Sequence, residues 1–145
     1  MRSQRKRAAA RRVQYAALPY RCRSDARTQV MLVTTRESGR WVIPKGWPQK
    51  RRSPAATAAR EALEEAGVVG TVSKAAIGSF SYKKRLKSGT VVCEVRVFPL
   101  RVKRQQKRWP ERGERDVQWF SRAKAAKAVR DRALAEIIRS LPKGK

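Results

Sequence analysis

A helix that carries three glutamates at its negative end constrains this chain more than any other feature. Glu61, Glu64 and Glu65 fall within five consecutive positions, although the protein has only 11 acidic residues against 37 Lys plus Arg. Ser53 and Pro54 supply an N-cap and a first helical position, and Gly67 supplies the left-handed residue past the end, which predicts a helix over about 54–66. Ala55, Ala56, Ala58, Ala59, Ala62 and Leu63 are strong helix formers. On such a helix Glu61 and Glu65 lie one turn apart on one face with Glu64 beside them, facing the negative end of the dipole and repelling one another. The arrangement costs stability and calls for positive charge. Two readings stay open at this level: a solvated Glu-rich helix end with Arg60 as partial counter-charge, or oxygen ligands for one or more hard divalent ions, most simply Mg2+.

The flanking residues favour the second. Gly46, thirteen intervening residues and then Arg60-Glu61-Ala62-Leu63-Glu64-Glu65-Ala66-Gly67-Val68 resemble the signature of the Nudix hydrolases, G-x5-E-x7-R-E-U-x-E-E-x-G-U, where U is apolar. Two positions depart from it: Arg52 stands where the first Glu should be, and Ala62 is a small version of the apolar residue. The match falls on an expected loop-helix-loop, the context such a motif requires. The longer stretch Trp41-Val42-Ile43-Pro44-Lys45-Gly46-Trp47-Pro48 looks like a subset similar to the diphosphoinositol polyphosphate phosphohydrolases, some of which also lack the first Glu. The resemblance implies cleavage of a diphosphate linked to another group, on an α+β fold: a single-domain α/β/α sandwich with a mixed sheet. It also implies that the later glutamates hold metal, that the first Glu supports the motif Arg, and that a backbone carbonyl near Gly46 is a further ligand. Arg52 cannot support Arg60 in that way, so the orientation of Arg60 is the point at which this chain should differ.

Formal net charge is +26, spread along the 145 residues, and such a field attracts polyanions without choosing among inositol phosphates, nucleotides, RNA or an acidic membrane surface. The length suits one domain, expected over 13–141, between a basic, disordered arm at 1–12 and a short tail at 142–145. No stretch approaches the ~20 apolar residues that would span a bilayer. Cys22 and Cys93 have no metal-like spacing and read as free thiols in strands, which places the protein in the reducing cytoplasm.

Strands are expected over Val13–Tyr20, Thr28–Thr35 and Trp41–Ile43, the last two joined by a turn at Ser38-Gly39. One β region follows at Thr71–Tyr82, with Lys83 to Gly89 as its turn and Thr90–Leu100 as its partner. In that partner Val91, Cys93, Val95 and Val97 share a face, and Pro99 limits further pairing. Residues 101–108 read as a basic connection, 109–115 as a loop and Val117–Phe120 as a short strand. Residues 121–141 read as one or two helices capped by Ser121, with Ala125, Ala128, Val129, Leu134, Ile137, Ile138 and Leu141 as the apolar stripe.

For the chemistry, the resemblance points to Glu61 and Glu65 as metal ligands for Mg2+ or Mn2+, Glu64 as a further ligand or base, and Arg60 as an assisting cation. Glu114 is the expected fourth acid and Glu111 the second choice. The sequence contains no His, so the base is a carboxylate or a metal-bound hydroxide. Substrate phosphates are expected at Lys45, at the Lys83-Lys84-Arg85 turn, at Arg115 and, more weakly, at Arg21 and Arg23. The leading reading is a metal-dependent hydrolase of small, highly phosphorylated molecules such as inositol pyrophosphates or dinucleoside polyphosphates. A protein acting on RNA 5′ ends, with nonspecific nucleic-acid attraction through the charge, is the second. A catalytically silent domain marked by Arg52 is the third. Oligomeric state is left open.

Overall fold

The computed structural model describes residues 10–23 and 27–142. Its strands, in chain order, are β1 (Ala10–Cys22), β2 (Thr28–Thr34), β3 (Trp41–Val42), β4 (Lys45–Gly46), β5 (Val68–Val72), β6 (Gly78–Leu86), β7 (Gly89–Gln105) and β8 (Val117–Ser121). The helices are α1 (Pro54–Ala66), α2 (Arg122–Ala128) and α3 (Arg132–Arg139). All the strands join one mixed sheet.

The centre of that sheet is the parallel pair of β1 and β7, in register from Ala10 with Val91 to Tyr20 with Arg101. Both strands are long enough to serve two partners on their outer edges. β7 pairs first with β6, Leu86 to Gly78 against Gly89 to Val97, and then with β5, Val72 to Val68 against Leu100 to Gln105. On its own outer edge β1 meets β2 at Tyr20–Cys22 and β4 at Tyr15–Ala16. Between those two points β1 and β2 diverge, and the segment from Trp41 to Gly46 fills the fork, β3 lying on β2 and β4 on β1. The fork delivers Lys45 and Gly46 to the middle of the sheet.

Alternation along the strands sends side chains to two cores. Leu18, Val30, Leu32, Ile43, Val95 and Val97 pack under α2 and α3, while Ala17, Met31, Val33, Phe98 and Leu100 pack under α1. The result is the expected α/β/α sandwich, with α1 on one side and the two C-terminal helices on the other.

α1 has the bounds its punctuation predicts. The Ser53 hydroxyl accepts from the Ala56 N–H at 3.1 Å, and Gly67, at φ 74°, sends its N–H back to the carbonyls of Ala62 and Leu63. Gly67 also leaves room for the ring of Trp109, which a Cβ there would strike. Ser121 caps α2 as expected, and Asp131 caps α3.

The strand expectations need four corrections. β1 opens at Ala10 because residues 10–12 pair with Val91, Val92 and Cys93, so the expected arm at 1–12 shortens; residues 1–9, and 143–145 of the tail, lie outside the described residues. The single β region at 71–82 is two strands, β5 and β6, which take successive stretches of β7. Lys83 to Leu86 continue β6, leaving only Lys87 and Ser88 as the turn. Finally, Pro99 does not end β7, which runs on through Arg101 to Gln105 in place of a loose connection. Pro99 stands where β6 has ended and β5 begins, and its carbonyl accepts from the Ser73 N–H at 2.9 Å. Its missing N–H therefore points at a handover between partners, where no ladder bond is lost.

Candidate functional site

The buried face of α1 is made of Ala55, Ala58, Ala62 and Ala66, so the helix lies close on the sheet, with Glu61 and Glu65 carried down at its margin. Both glutamates are only 8% exposed. Gly46 is where the helix meets the fork: a Cβ at that position would collide with the Glu61 carboxylate. The absence of a side chain lets the backbone of β4 abut the acid.

Glu61 accepts a hydrogen bond from the Gln49 side-chain amide at 3.2 Å. Its carboxyl and that of Glu65 lie within hydrogen-bonding reach of each other. Burial raises the pKa of Glu61, and the charges of Glu64 and Glu111 push the same way. Burial lifts Glu65 further, to about 8, Arg115 pulling it back and Glu61 adding to the rise. Two desolvated carboxylates facing one another cannot both be charged without help, so the pair retains a proton.

Arg115 approaches Glu65 Oε1 at 3.7 Å and makes a closer pair with Glu111 at 2.7 Å. Its remaining contact is to the carbonyl of Thr34 at 3.3 Å, and its own side chain is only 10% exposed. The guanidinium is thus a bracket between two acids. Glu111 reaches the site by the backbone as well, its N–H donating to the Glu64 carbonyl at 3.0 Å. Glu114, the first choice for the fourth acid, sits apart on the exposed Arg36 at 2.8 Å; the turn at 111–114 aims the two glutamates in different directions, and Glu111 is the one near the pair.

Arg60 turns to Glu64, Nε to Oε2 at 2.8 Å. With Arg52 exposed where the family pattern has an acid, the (i, i+4) carboxylate is the partner at hand. This engages one Glu64 oxygen, and among the described residues no three acidic or thiol side chains converge as a ready-made metal cage. What does fit a cation is the Glu61–Glu65 pair with the backbone of Gly46 against Glu61: buried oxygen donors whose mutual repulsion a positive ion would relieve.

The cations separate by strand periodicity. Lys45 is half-buried, and desolvation lowers its pKa against the opposing pull of Glu65; its Nζ lies 5.3 Å from the centre of the Tyr82 ring. Lys84 shares a face of β6 with Tyr82 and is felt by Lys45, whereas Lys83 and Arg85 alternate to the opposite face and to solvent. Arg21 is elsewhere: its guanidinium stacks 4.0 Å from the Trp119 ring and donates to Gln29 at 2.8 Å, and Arg23 follows it at the far end of β1.

A cleft of about 460 Å3 opens on the α2–α3 side of the fork. Trp41, Lys45, Phe80, Tyr82, Val129 and Leu134 are among its walls. The glutamates do not line it; Lys45 is the residue that links cleft and acids. Gln49 and this cleft carried no sequence signal, and the place of Trp41 in the cleft wall was not part of the signal it carried, because these roles arise from the fork that brings residues 41–49 between β1 and β2.

Comparison with known proteins agrees with this architecture. The family described as "NUDIX domain" matches residues 10–141. Nudix hydrolase 21, chloroplastic, of Arabidopsis thaliana is 30% identical over 124 residues, covering 83% of this chain and 61% of that protein. Diphosphoinositol polyphosphate phosphohydrolase 3-beta of Bos taurus is 35% identical over 71 residues, 48% of this chain and 43% of the relative. The crystal structure of C. elegans Ap4A hydrolase superposes with a TM-score of 0.62 at 15% identity, covering 88% of this chain and 93% of that one, a likeness of fold. The chain spans about three fifths of the length of the first plant relatives it matches. Domain match, sandwich architecture and the REALEE helix against Gly46 agree: this chain belongs to the Nudix family.

Proposed function

We propose that this protein is a divalent-metal-dependent pyrophosphohydrolase, cleaving a phosphoanhydride bond in a small, highly phosphorylated substrate. The observation that carries the reading is the buried Glu61–Glu65 pair seated against Gly46, with Lys45 between it and an open cleft. Glu61, Glu65 and the Gly46 carbonyl are the groups that would hold the ion, with Glu111 nearby; Mg2+ or Mn2+ suits these oxygen donors. A bound ion would neutralise diphosphate oxygens and lower the pKa of a water.

The chain's own residues do the rest. Gln49 orients Glu61 and Arg115 orients Glu65. Glu64, half engaged by Arg60 and partly open to solvent, is the carboxylate we assign to proton transfer. Lys45 and Lys84 present positive charge from the cleft side to the phosphates. The aromatic and aliphatic walls of the cleft suit a ring-bearing group, so dinucleoside polyphosphates fit it better than an inositol pyrophosphate, which has no apolar face to bury. The free thiols of Cys22 and Cys93 suit work in the reducing cytoplasm.

The test is product release from diadenosine polyphosphates, nucleoside triphosphates and an inositol pyrophosphate, with Mg2+, with Mn2+ and with EDTA. Turnover that needs the metal and is lost in Glu65→Gln is expected. Equal turnover in EDTA, or none with any substrate, would sink the reading.

A further inference from the structure

α1 covers only part of its side of the sheet. The core beneath it draws on β1, β2, β5 and the later half of β7, and no residue of β6 takes part. Among the described residues nothing covers the remainder of that face, and the register shows what it presents. Arg11, Val92 and Lys83 form one row across β1, β7 and β6; Val13, Glu94 and Ser81 form the next; Tyr15, Arg96 and Ser79 form a third. Arg85, opposite Thr90, extends the face at the hairpin end. Residues directly opposite one another in a sheet share a face, so Arg11, Lys83, Arg85 and Arg96 stand on one surface, and all four are exposed. Its single acid, Glu94, lies 3.8 Å from Arg96.

Half-buried Val13 and Val92 lie between the cations, and Tyr15, half-buried at the margin of the α1 core with its ring edge-on to Phe98 at 6.1 Å, borders them. From the row of Arg11 to that of Arg96 is about 13 Å along the strands, and the three strands span about 10 Å. Tyr15 is the Cα partner of Gly46 on its other side, so the platform runs up to the strand that abuts Glu61. A face of exposed cations interleaved with aliphatic side chains and bordered by an aromatic ring has the chemistry of single-strand recognition, in which phosphates meet the cations and unpaired bases lie on apolar surface. A duplex hides its bases and would gain only the charges.

We infer that this uncovered face of β1, β7 and β6 binds a single-stranded polynucleotide. The inference is independent of turnover at the glutamates. It is tested with a 3′-labelled 12-nucleotide RNA, and its DNA counterpart, by fluorescence anisotropy in EDTA across a salt series. The full chain is compared with Lys83→Glu/Arg85→Glu/Arg96→Glu and with the charge-matched control Lys124→Glu/Lys127→Glu/Arg132→Glu on α2 and α3. A Kd raised about tenfold or more by the sheet triple alone, with a shallower salt dependence, is the expected result, RNA and DNA being ranked by the same titration. An unchanged circular dichroism spectrum and melting temperature report that each variant is folded, and Lys83→Gln/Arg85→Gln/Arg96→Gln repeats the test without charge reversal. An equal loss in the control, an equal affinity for duplex or for anionic lipid vesicles, or an unchanged Kd in the sheet triple would each overturn the inference.

Discussion

The two helical layers settle on the same sheet in opposite ways. α1 makes its contact with Ala55, Ala58, Ala62 and Ala66, whereas the opposite layer does so with Leu134, Ile137, Ile138 and Leu141. Alanine removes little apolar surface per residue but lets a helix come close, and closeness is what brings Glu61 against Gly46 with Glu65 beside it. Large side chains remove far more surface. One layer is built to position charge and the other to stabilise the fold, and substitutions should tell them apart.

The largest effect is expected at the charge-bearing layer. Glu65→Gln should reduce kcat by about 10²–10⁴, the range for loss of a catalytic proton-handling or ligand group, while the melting temperature without metal holds or rises. A drop in both would blur the contrast.

Metal-free stability should also depend on pH through this pair. Glu65 titrates near 8 in the folded chain against an ordinary 4.5, so the folded state holds an extra proton between these values. The stability it contributes is complete below about pH 4.5 and is lost as pH rises through 8. Thermal melts in EDTA from pH 5 to 9 should fall with pH by more in the wild type than in Glu65→Gln, an effect of several kcal/mol at full extent; a rise would contradict the assignment.

On the opposite layer Ile138→Ala, fully buried in the core under α3, should cost about 2–5 kcal/mol in denaturant melts, with turnover per folded molecule unchanged. Ala62→Leu inverts the experiment: overpacking under α1 should cost about 1–3 kcal/mol and also reduce kcat, because lifting the helix separates Glu61 from Gly46. Smallest is the cap. Ser53→Ala should remove about 1 kcal/mol, with kcat little changed since the start of α1 is remote from its acids.

Much of this layout was legible beforehand because it is encoded locally. Ser53, Pro54 and Gly67 punctuate α1 by their own backbone chemistry, and Val91, Cys93, Val95 and Val97 announce a buried face by alternation. The misreadings share one cause, that the deciding partner is distant. Pro99 argues for an ending until β5 and β6 are seen to divide β7 between them. Lys83 to Leu86 look like a turn until Val91 and Val92 claim them as strand. Glu114 and Glu111 are equivalent in sequence, and only Arg36 and Arg115 distinguish them. Arg60 illustrates the reverse: with Arg52 upstream, its pairing to Glu64 follows from residues four apart.

The parallel pairing of β1 with β7 bears on how the chain is made. Ala10 meets Val91 and Tyr20 meets Arg101, so β1 waits for β7, far along the chain, before the middle of the sheet can close, an ordering that favours slow folding. Until then β1, with its run of Ala16, Ala17 and Leu18, is an open edge. The arginines at its head, Arg11 and Arg12, would then guard a nascent strand against pairing with the wrong neighbour.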